Sequence, residues 1–377
     1  MPSIHQDQQL PYSSELVSVI ITTKNEEKHI EKCLLSITEQ TYSPIEIIVV
    51  DNYSSDRTQE IAFQFTDKVF NKGPERSAQR NFGMTEIARG KHVMFLDADM
   101  ILGPKTVETC VSMVETGNWV ALHIPEFILG TKYFCRVRRF ERSFYDGTVI
   151  DGARFFKKSV FVQVGGFDET MSGPEDWDID KKVKKVGPIG LLPLLSNCTE
   201  ITTWKLTNLV SRNGVNPIGK LNSIFHNEAE FNLLKYLSKK KYYSTGIDIY
   251  IKKWGENDPD IRKQTGIWYR FFGVFIERCK WRRFLINPHL IPGIYLLRFL
   301  VGLQFLRKKF IRKTKNNISI SDYLNSLSRY YSTKVENSTR LEYSLSLFPE
   351  SYFKSFCKSF LVYSFCLKQV KYELMLN

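Results

Sequence analysis

Three apolar runs decide how the chain folds: Val17-Ser18-Val19-Ile20-Ile21, Ile45-Glu46-Ile47-Ile48-Val49-Val50 and His92-Val93-Met94-Phe95-Leu96. Each is short, rich in β-branched or aromatic residues and nearly free of polar interruption, the pattern of a strand buried on both faces. Helical periodicity fills the gaps. Residues 27–38 place Ile30, Leu34, Leu35 and Ile37 on one side, residues 56–65 read as a second helix, and residues 75–88 as a third after a short strand near Val69-Phe70. Strands alternating with helices of this length predict βαβ units and a mostly parallel sheet. Such sheets bind ligands beyond the carboxyl ends of their strands, so the residues straight after each run carry the functional reading.

Further along, residues 119–204 mix both element types, with a basic amphipathic helix at Phe134–Tyr145, a strand at Val149–Phe156 and a short helix at Pro174–Lys185. After about Lys205 the alternation stops and helical patterns dominate. A chain of 377 residues exceeds what one hydrophobic core usually organises, which predicts a large domain with an appendage, or two domains. With 43% hydrophobic and 25% charged residues, a disordered or collagen-like chain is excluded. The net charge of +13 asks for an anionic partner: nucleic acid, a phosphorylated substrate or an anionic membrane face. The excess is regional, since Lys235–Lys315 holds 20 Lys and Arg against 5 Asp and Glu. Seven scattered cysteines without a C-x-x-C pair suggest neither a disulfide framework nor a zinc ribbon, and fit a reducing, cytoplasmic setting. The polar stretch Met1–Glu15 lacks the apolar core of a secretory signal. Leu290–Leu306, the most apolar stretch, carries Arg298 and Gln304 in its interior, which argues against a spanning helix.

Acidic features sit where ligands of this architecture bind. Asp51 ends the second run, within Val50-Asp51-Asn52-Tyr53-Ser54-Ser55-Asp56. Its carboxylate suits a base or ribose, while Ser54, Ser55 and Asp56 suit a turn and helix cap; read alone, the whole segment is equally a cap. Leu96-Asp97-Ala98-Asp99 closes the third run. Two carboxylates so spaced can meet one hard cation, Mg²⁺ or Mn²⁺, and the diphosphate it holds, although a bare D-x-D is also an ordinary solvated loop. Gly173-Pro174-Glu175-Asp176-Trp177-Asp178 follows Val164-Gly165-Gly166-Phe167-Asp168 and begins a helix. A carboxylate at that positive helix end can accept a proton from a hydroxyl, or it can be an unremarkable first-turn acid.

In this order the features resemble those of the family 2 glycosyltransferases. The motifs are Val19-Ile20-Ile21-Thr22-Thr23-Lys24-Asn25-Glu26, Val49-Val50-Asp51 with Ser54, Ser55 and Asp56, Arg80-Asn81-Phe82-Gly83, Asp97-Ala98-Asp99, Gly165-Gly166-Phe167-Asp168 and Glu175-Asp176-Trp177-Asp178. They cover a little under half the chain, Val17 to Asp180. The resemblance implies an α/β GT-A domain, a three-layer α/β/α arrangement around a mixed, mostly parallel sheet, here followed by a helical C-terminal region. It implies that Thr22, Asn25, Glu26, Asp51, Asp56, Arg80 and Asp97 lie on the donor nucleotide, that Asp99 with Asp97 binds a divalent Mn or Mg, and that Glu175 and Asp176 are catalytic. Asp176 corresponds to the general base of an inverting transfer from a nucleotide-diphosphate sugar. His226, in Phe225-His226-Asn227-Glu228, is a third candidate metal ligand or a helix-start histidine. Arg76 reads as an exposed helix arginine, with a phosphate contact as the alternative.

The resulting division is a tail at 1–15, a catalytic domain at 16–230, a basic, aromatic-rich helical region at 231–315 and an extension at 316–377 without an assigned role. Lys239–Tyr243, Trp268–Arg283 and Pro288–Lys309 interleave cations with aromatics, which suits the headgroup region at the inner membrane surface or a solvated cationic face. No RNA- or DNA-binding fingerprint appears, so nucleic acid is not an expected partner. The expected partners are a nucleotide-sugar donor and a glycan or polyprenyl-linked acceptor of surface-polysaccharide biosynthesis. The alternatives are a polyprenyl-phosphate sugar synthase, whose phosphate acceptor needs little base catalysis, and a non-catalytic basic scaffold retaining a transferase-like fold.

Overall fold

The computed structural model describes residues 15–195 and 204–317. Among the described residues ten strands form: β1 Val17–Thr23, β2 Ile45–Asp51, β3 Val69–Asn71, β4 His92–Asp97, β5 Met100–Leu102, β6 Ala121–His123, β7 Glu126–Leu129, β8 Phe155–Lys157, β9 Ile189–Leu191 and β10 Ile224–Asn227. Seven of them make one sheet in the order β3-β2-β1-β4-β8-β6-β9; β8 runs antiparallel to β4 and β6, and the other pairs are parallel. A small second sheet has the order β5-β10-β7.

Strand alternation builds three layers. Val17, Val19 and Ile21 of β1, Val49 of β2, and Met94 and Leu96 of β4 pack one face against helices α1 (Ile30–Thr38) and α4 (Thr106–Thr116). Ile20, Ile48, Val50, Val93 and Phe95 pack the other face, against Met84, Phe161, Ile179 and Val183. Both faces are therefore buried, as the unbroken apolar runs predict. The helix expected at 75–88 is α3, Arg76–Asn81, continuing as a wider turn through Phe82–Ile87. At Gly83 a Cβ would lie 2.7 Å from Ile20 Cγ2, so only glycine lets this turn settle onto the sheet.

The strand expected at Val149–Phe156 is only Phe155–Lys157. Its first half is held in turns instead, with the Gly147 and Ala153 N–H groups donating to the carboxylates of Asp151 and Asp180. Helix α7 spans Glu175–Lys184. The chain divides into two compact units, one of residues up to Leu233 with Tyr242–Trp281, the other of Leu234–Lys241 with residues from Arg282 onward. Helix Leu233–Trp254 thus contributes its C-terminal part to the first unit. Among the described residues no single helix is long and apolar enough to cross a membrane. Cys33, Cys110, Cys135 and Cys279 are free thiols, and the remaining cysteines, like the extension beyond residue 317, lie outside the described residues.

Candidate active site

The register of the parallel strands assembles the site. Thr23 of β1 pairs with Asp51, Asp51 with Asn71, and Thr22 with Asp97, so the strand ends expected to meet the donor lie along one sheet edge. The loops above them interlock. The Asn25 N–H donates to Ser54 Oγ at 2.7 Å, Asn25 Oδ1 accepts from the Ser55 N–H at 2.8 Å, and the Glu26 N–H donates to Thr58 Oγ1 at 2.8 Å. Asn25 takes a left-handed conformation with φ 53°, which its short polar side chain tolerates. Asp51 is wholly buried and accepts from the Ser54 N–H at 2.6 Å, Ser54 Oγ at 2.5 Å and Gln59 Nε2 at 2.8 Å. Asp56 accepts from the Thr58 N–H and hydroxyl and from the Glu27 N–H. Asp51 and Asp56 therefore shape the loop edge through internal bonds, while Asn25 beside them is exposed.

Helix α3 brings the cationic half. Arg76, Gln79 and Arg80 share one face at i, i+3 and i+4. Gln79 donates to the Thr23 and Val50 carbonyls, pinning that face to the sheet edge. Arg80 is 1% exposed, lies 4.1 Å from the Phe95 ring centroid and bridges two carboxylates. Nη2 is 3.0 Å from Asp97 Oδ1 and Nη1 is 3.1 Å from Asp176 Oδ1. Arg76 is no solvated helix arginine: Nη2 reaches Glu175 Oε1 at 3.1 Å and the Tyr243 hydroxyl at 3.0 Å, and Nη1 is 3.8 Å from Asp97. Burial alone would push the Asp97 carboxyl up, but Arg80, Arg76 and Arg154 together hold it well below the usual range.

The two adjacent acids of α7 differ sharply. Asp176 keeps a third of its side chain exposed. Glu175 is 3% exposed, bonds Arg76, and accepts from the Gly173 N–H. Burial first, and the neighbouring Asp176 charge second, push its pKa up against the pull of Arg76 and Arg80. Glu175 thus holds the helix start and Arg76, and Asp176 is the acid presented to solvent. Gly152 lies beneath it, where a Cβ would come 2.8 Å from the Asp176 Cβ.

A second polar cluster lies along β5-β10-β7. Antiparallel pairing sets His226 opposite Met100, one residue past Asp99. His226 Nε2 lies 3.2 Å from Asp99 Oδ2 and Nδ1 lies 3.0 Å from Glu126 Oε1. Burial would lower the His226 pKa, but Asp99 and Glu126 hold it well above the ordinary histidine value. Glu126 also receives Arg142 at 3.3 Å and Arg154 at 3.4 Å. Arg154 lies 5.2 Å from the Phe95 ring centroid, on the ring that Arg80 also covers, and links this cluster to Asp97. Asp97 consequently belongs with the arginines, whereas Asp99 belongs with His226. Asp97 is thus a carboxylate wrapped by guanidinium groups, while Asp99 and His226 face each other. Among the described residues no group of three or more His, Cys, Asp or Glu side chains could hold a metal by itself.

Arg76, Arg154, Glu126 and Tyr243 carry no motif in the sequence. The signal for Arg76 is its i, i+4 spacing to Arg80 on one helix face; the others meet the site through long-range pairing. Tyr242 and Tyr243, from the segment expected at a membrane surface, bond Glu75 and Arg76.

Residues 18–167 match the family model described as glycosyl transferase family 2. Among curated relatives, glycosyltransferase GlyG of Streptococcus pneumoniae is 36% identical over 110 residues, covering 27% of this chain and 36% of its own. Glycosyltransferase AglE of Haloferax volcanii is 40% identical over 107 residues, covering 26% and 35%. The matched part spans little more than a third of either relative. Mannosyltransferase PcManGT from Pyrobaculum calidifontis, solved with GDP-Man and Mn²⁺, aligns over 85% of this chain and 81% of its own at 16% identity, with a TM-score of 0.45.

Proposed function

Since residues 18–167 are a glycosyl transferase family 2 domain, we propose that the chain transfers a sugar, with inversion, from a nucleotide-diphosphate donor to a hydroxyl of a glycan or lipid-linked acceptor. The observation that carries this reading is the single buried guanidinium of Arg80, which holds Asp97 and Asp176 at 3.0 and 3.1 Å although the two lie far apart in sequence. A non-catalytic scaffold has no use for such an arrangement.

Asn25, Glu26 and the loop fixed by Asp51 and Asp56 form the nucleotide side, and Thr22 and Asp97 the ribose and sugar side. Asp97, neutralised by its arginines, offers the donor a hydrogen-bond acceptor without strong net repulsion of a diphosphate. Asp99 and His226 fit a divalent Mn or Mg. Glu126 bonds His226 Nδ1, the carboxylate-to-histidine bond that orients a metal-binding imidazole, and leaves Nε2 facing Asp99 for the ion between them. Two protein ligands suffice for a hard cation that keeps water and substrate phosphates in its shell. When bound, that ion neutralises charge on the departing diphosphate.

Asp176 takes the acceptor proton as the hydroxyl oxygen bonds to the anomeric carbon. The carbon–oxygen bond to the diphosphate breaks, its electron pair leaves with the nucleoside diphosphate, and the anomeric centre inverts. Glu175 and Arg76 fix the start of α7 and so the direction of Asp176. The phosphate-acceptor alternative needs no base, and the presentation of Asp176 to solvent favours the hydroxyl acceptor.

The experiment is incubation of the full chain with UDP-, GDP- and dTDP-sugars and Mn²⁺, with proton NMR of the anomeric signal. One donor is turned over, and the product or hydrolysed sugar first appears with the opposite anomeric configuration. Retention, or no turnover of any donor by folded protein, overturns the reading.

A further inference from the structure

Residues 259–281 of the first unit form a segment with two unlike sides. One is fastened to the catalytic core. Gln264 Nε2 donates to the Val149 carbonyl at 2.6 Å, Phe275 meets Phe144 edge-on at a centroid distance of 4.9 Å, and Lys280 Nζ donates to the carbonyls of Phe144 and Asp146 at 2.8 and 2.9 Å. Ile261 and Val274 are buried on this side. Because these bonds fix the segment, its outer side is presented in a set direction.

That outer side is apolar. Ile267, Trp268 and Ile276 are 72%, 70% and 59% exposed, and the Trp268 ring lies tilted against Phe272 with centroids 4.9 Å apart. Scattered exposed apolar residues need no explanation, but large ones clustered within ten positions mark an interaction surface. The accompanying charge has one sign. Arg262, Lys263 and Arg278 are exposed, while the two acids of the segment are half-buried and partnered, Asp260 with Lys181 and Glu277 with the Tyr269 hydroxyl. An occupant must therefore supply apolar volume edged by negative charge. An anionic lipid leaflet supplies both, and tryptophan settles at its headgroup level.

We infer that the exposed side chains of Ile267, Trp268 and Ile276, with the exposed Arg262 and Lys263 of the same segment, seat the protein on an anionic lipid surface. The inference is independent of the transfer chemistry, as none of these residues touches Asp97, Asp99 or Asp176. The basic region is thereby narrowed to the exposed apolar side chains of one fixed segment and the cations within it.

The test is co-sedimentation of the full chain with vesicles of phosphatidylglycerol and phosphatidylcholine, or phosphatidylcholine alone, at low and high salt. The wild type partitions to the anionic vesicles, less so in high salt, and its tryptophan fluorescence is quenched by brominated lipid. Ile267→Ser with Trp268→Ser lowers partitioning about tenfold or more, while donor-dependent thermal stabilisation is unchanged. Wild-type protein that ignores anionic vesicles, or a folded double variant that binds as the wild type does, overturns the inference. So does a wild-type dimer that the double variant abolishes, since the face would then belong to a second copy. If the double variant does not fold, absence of brominated-lipid quenching in the wild type overturns it by itself.

Discussion

Replacing Arg80 by methionine removes the guanidinium that Asp97 and Asp176 share. Methionine keeps much of the apolar stem against Phe95 and Phe167 but leaves Asp97 and Asp176 without their shared partner. Breaking a buried ion pair from one side costs about 3–5 kcal/mol. Here Asp97 keeps Arg76 and Asp176 reaches solvent, so the lower end applies, about 3 kcal/mol. For a domain of a few hundred residues that is a fall in Tm of roughly 6–12 °C. Transfer suffers more than stability suggests, because the base and the sugar-side carboxylate both lose their direction, and misplacement on the order of 1 Å costs roughly a hundredfold. Circular-dichroism melting and steady-state transfer read the two effects. In a cycle with Asp97→Asn the two substitutions are non-additive by about 1–3 kcal/mol. Arg80→Lys recovers only part of either loss, since one ammonium does not match a guanidinium fork spanning two carboxylates. An Arg80→Met protein that melts within a degree or so of wild type and transfers within about twofold of its rate refutes the bridging role.

Gly152→Ala pushes a methyl group against the Asp176 Cβ at 2.8 Å; kcat falls about tenfold and stability by about 1–3 kcal/mol, with donor KM little changed, and steady-state kinetics with urea unfolding check both. Glu126→Gln weakens the hold on His226 Nδ1 and raises the Mn²⁺ concentration for half-maximal donor binding about 10–100-fold, measured by titration of Mn²⁺ at fixed donor. Asp168 gives a pH signature outside the site. Burial pushes its carboxyl up, but Lys253 and Thr170 hold it down to about 2. A folded pKa below the unfolded one stabilises fully above the unfolded value and is lost as pH falls through the folded value. The stability gap between wild type and Asp168→Asn is therefore about 2 kcal/mol at neutral pH and shrinks to about half by pH 3, read from urea midpoints; a gap independent of pH contradicts it.

The legible parts of the protein were those with local physical signals. Runs such as Val17–Ile21 and His92–Leu96 announce strands buried on both faces, and parallel strands put Asp51 and Asp97 on one edge whatever the loops do. Asp99 and His226 were legible individually, but their meeting depends on β10 lying antiparallel to β5, a pairing across more than a hundred residues that no local pattern encodes. Arg76 looked solvated because its partners Asp97, Glu175 and Tyr243 come from three distant segments. The D-x-D spacing likewise says nothing about the three guanidinium groups around the first carboxylate. At Val149–Phe156 the β-branched and aromatic composition suggests a longer strand than forms, because Thr148 and Asp180 take the Asp151 and Ala153 backbone donors that a ladder would otherwise use.

The most direct measurement compares Asp99→Asn and Asp176→Asn for Mn²⁺-dependent donor binding, by calorimetry, and for single-turnover transfer. The account predicts that Asp99→Asn loses metal-dependent donor binding and transfer together, whereas Asp176→Asn binds donor as wild type and loses transfer by about a hundredfold or more. Transfer at the wild-type rate in Asp176→Asn, or undiminished metal-dependent binding in Asp99→Asn, contradicts it.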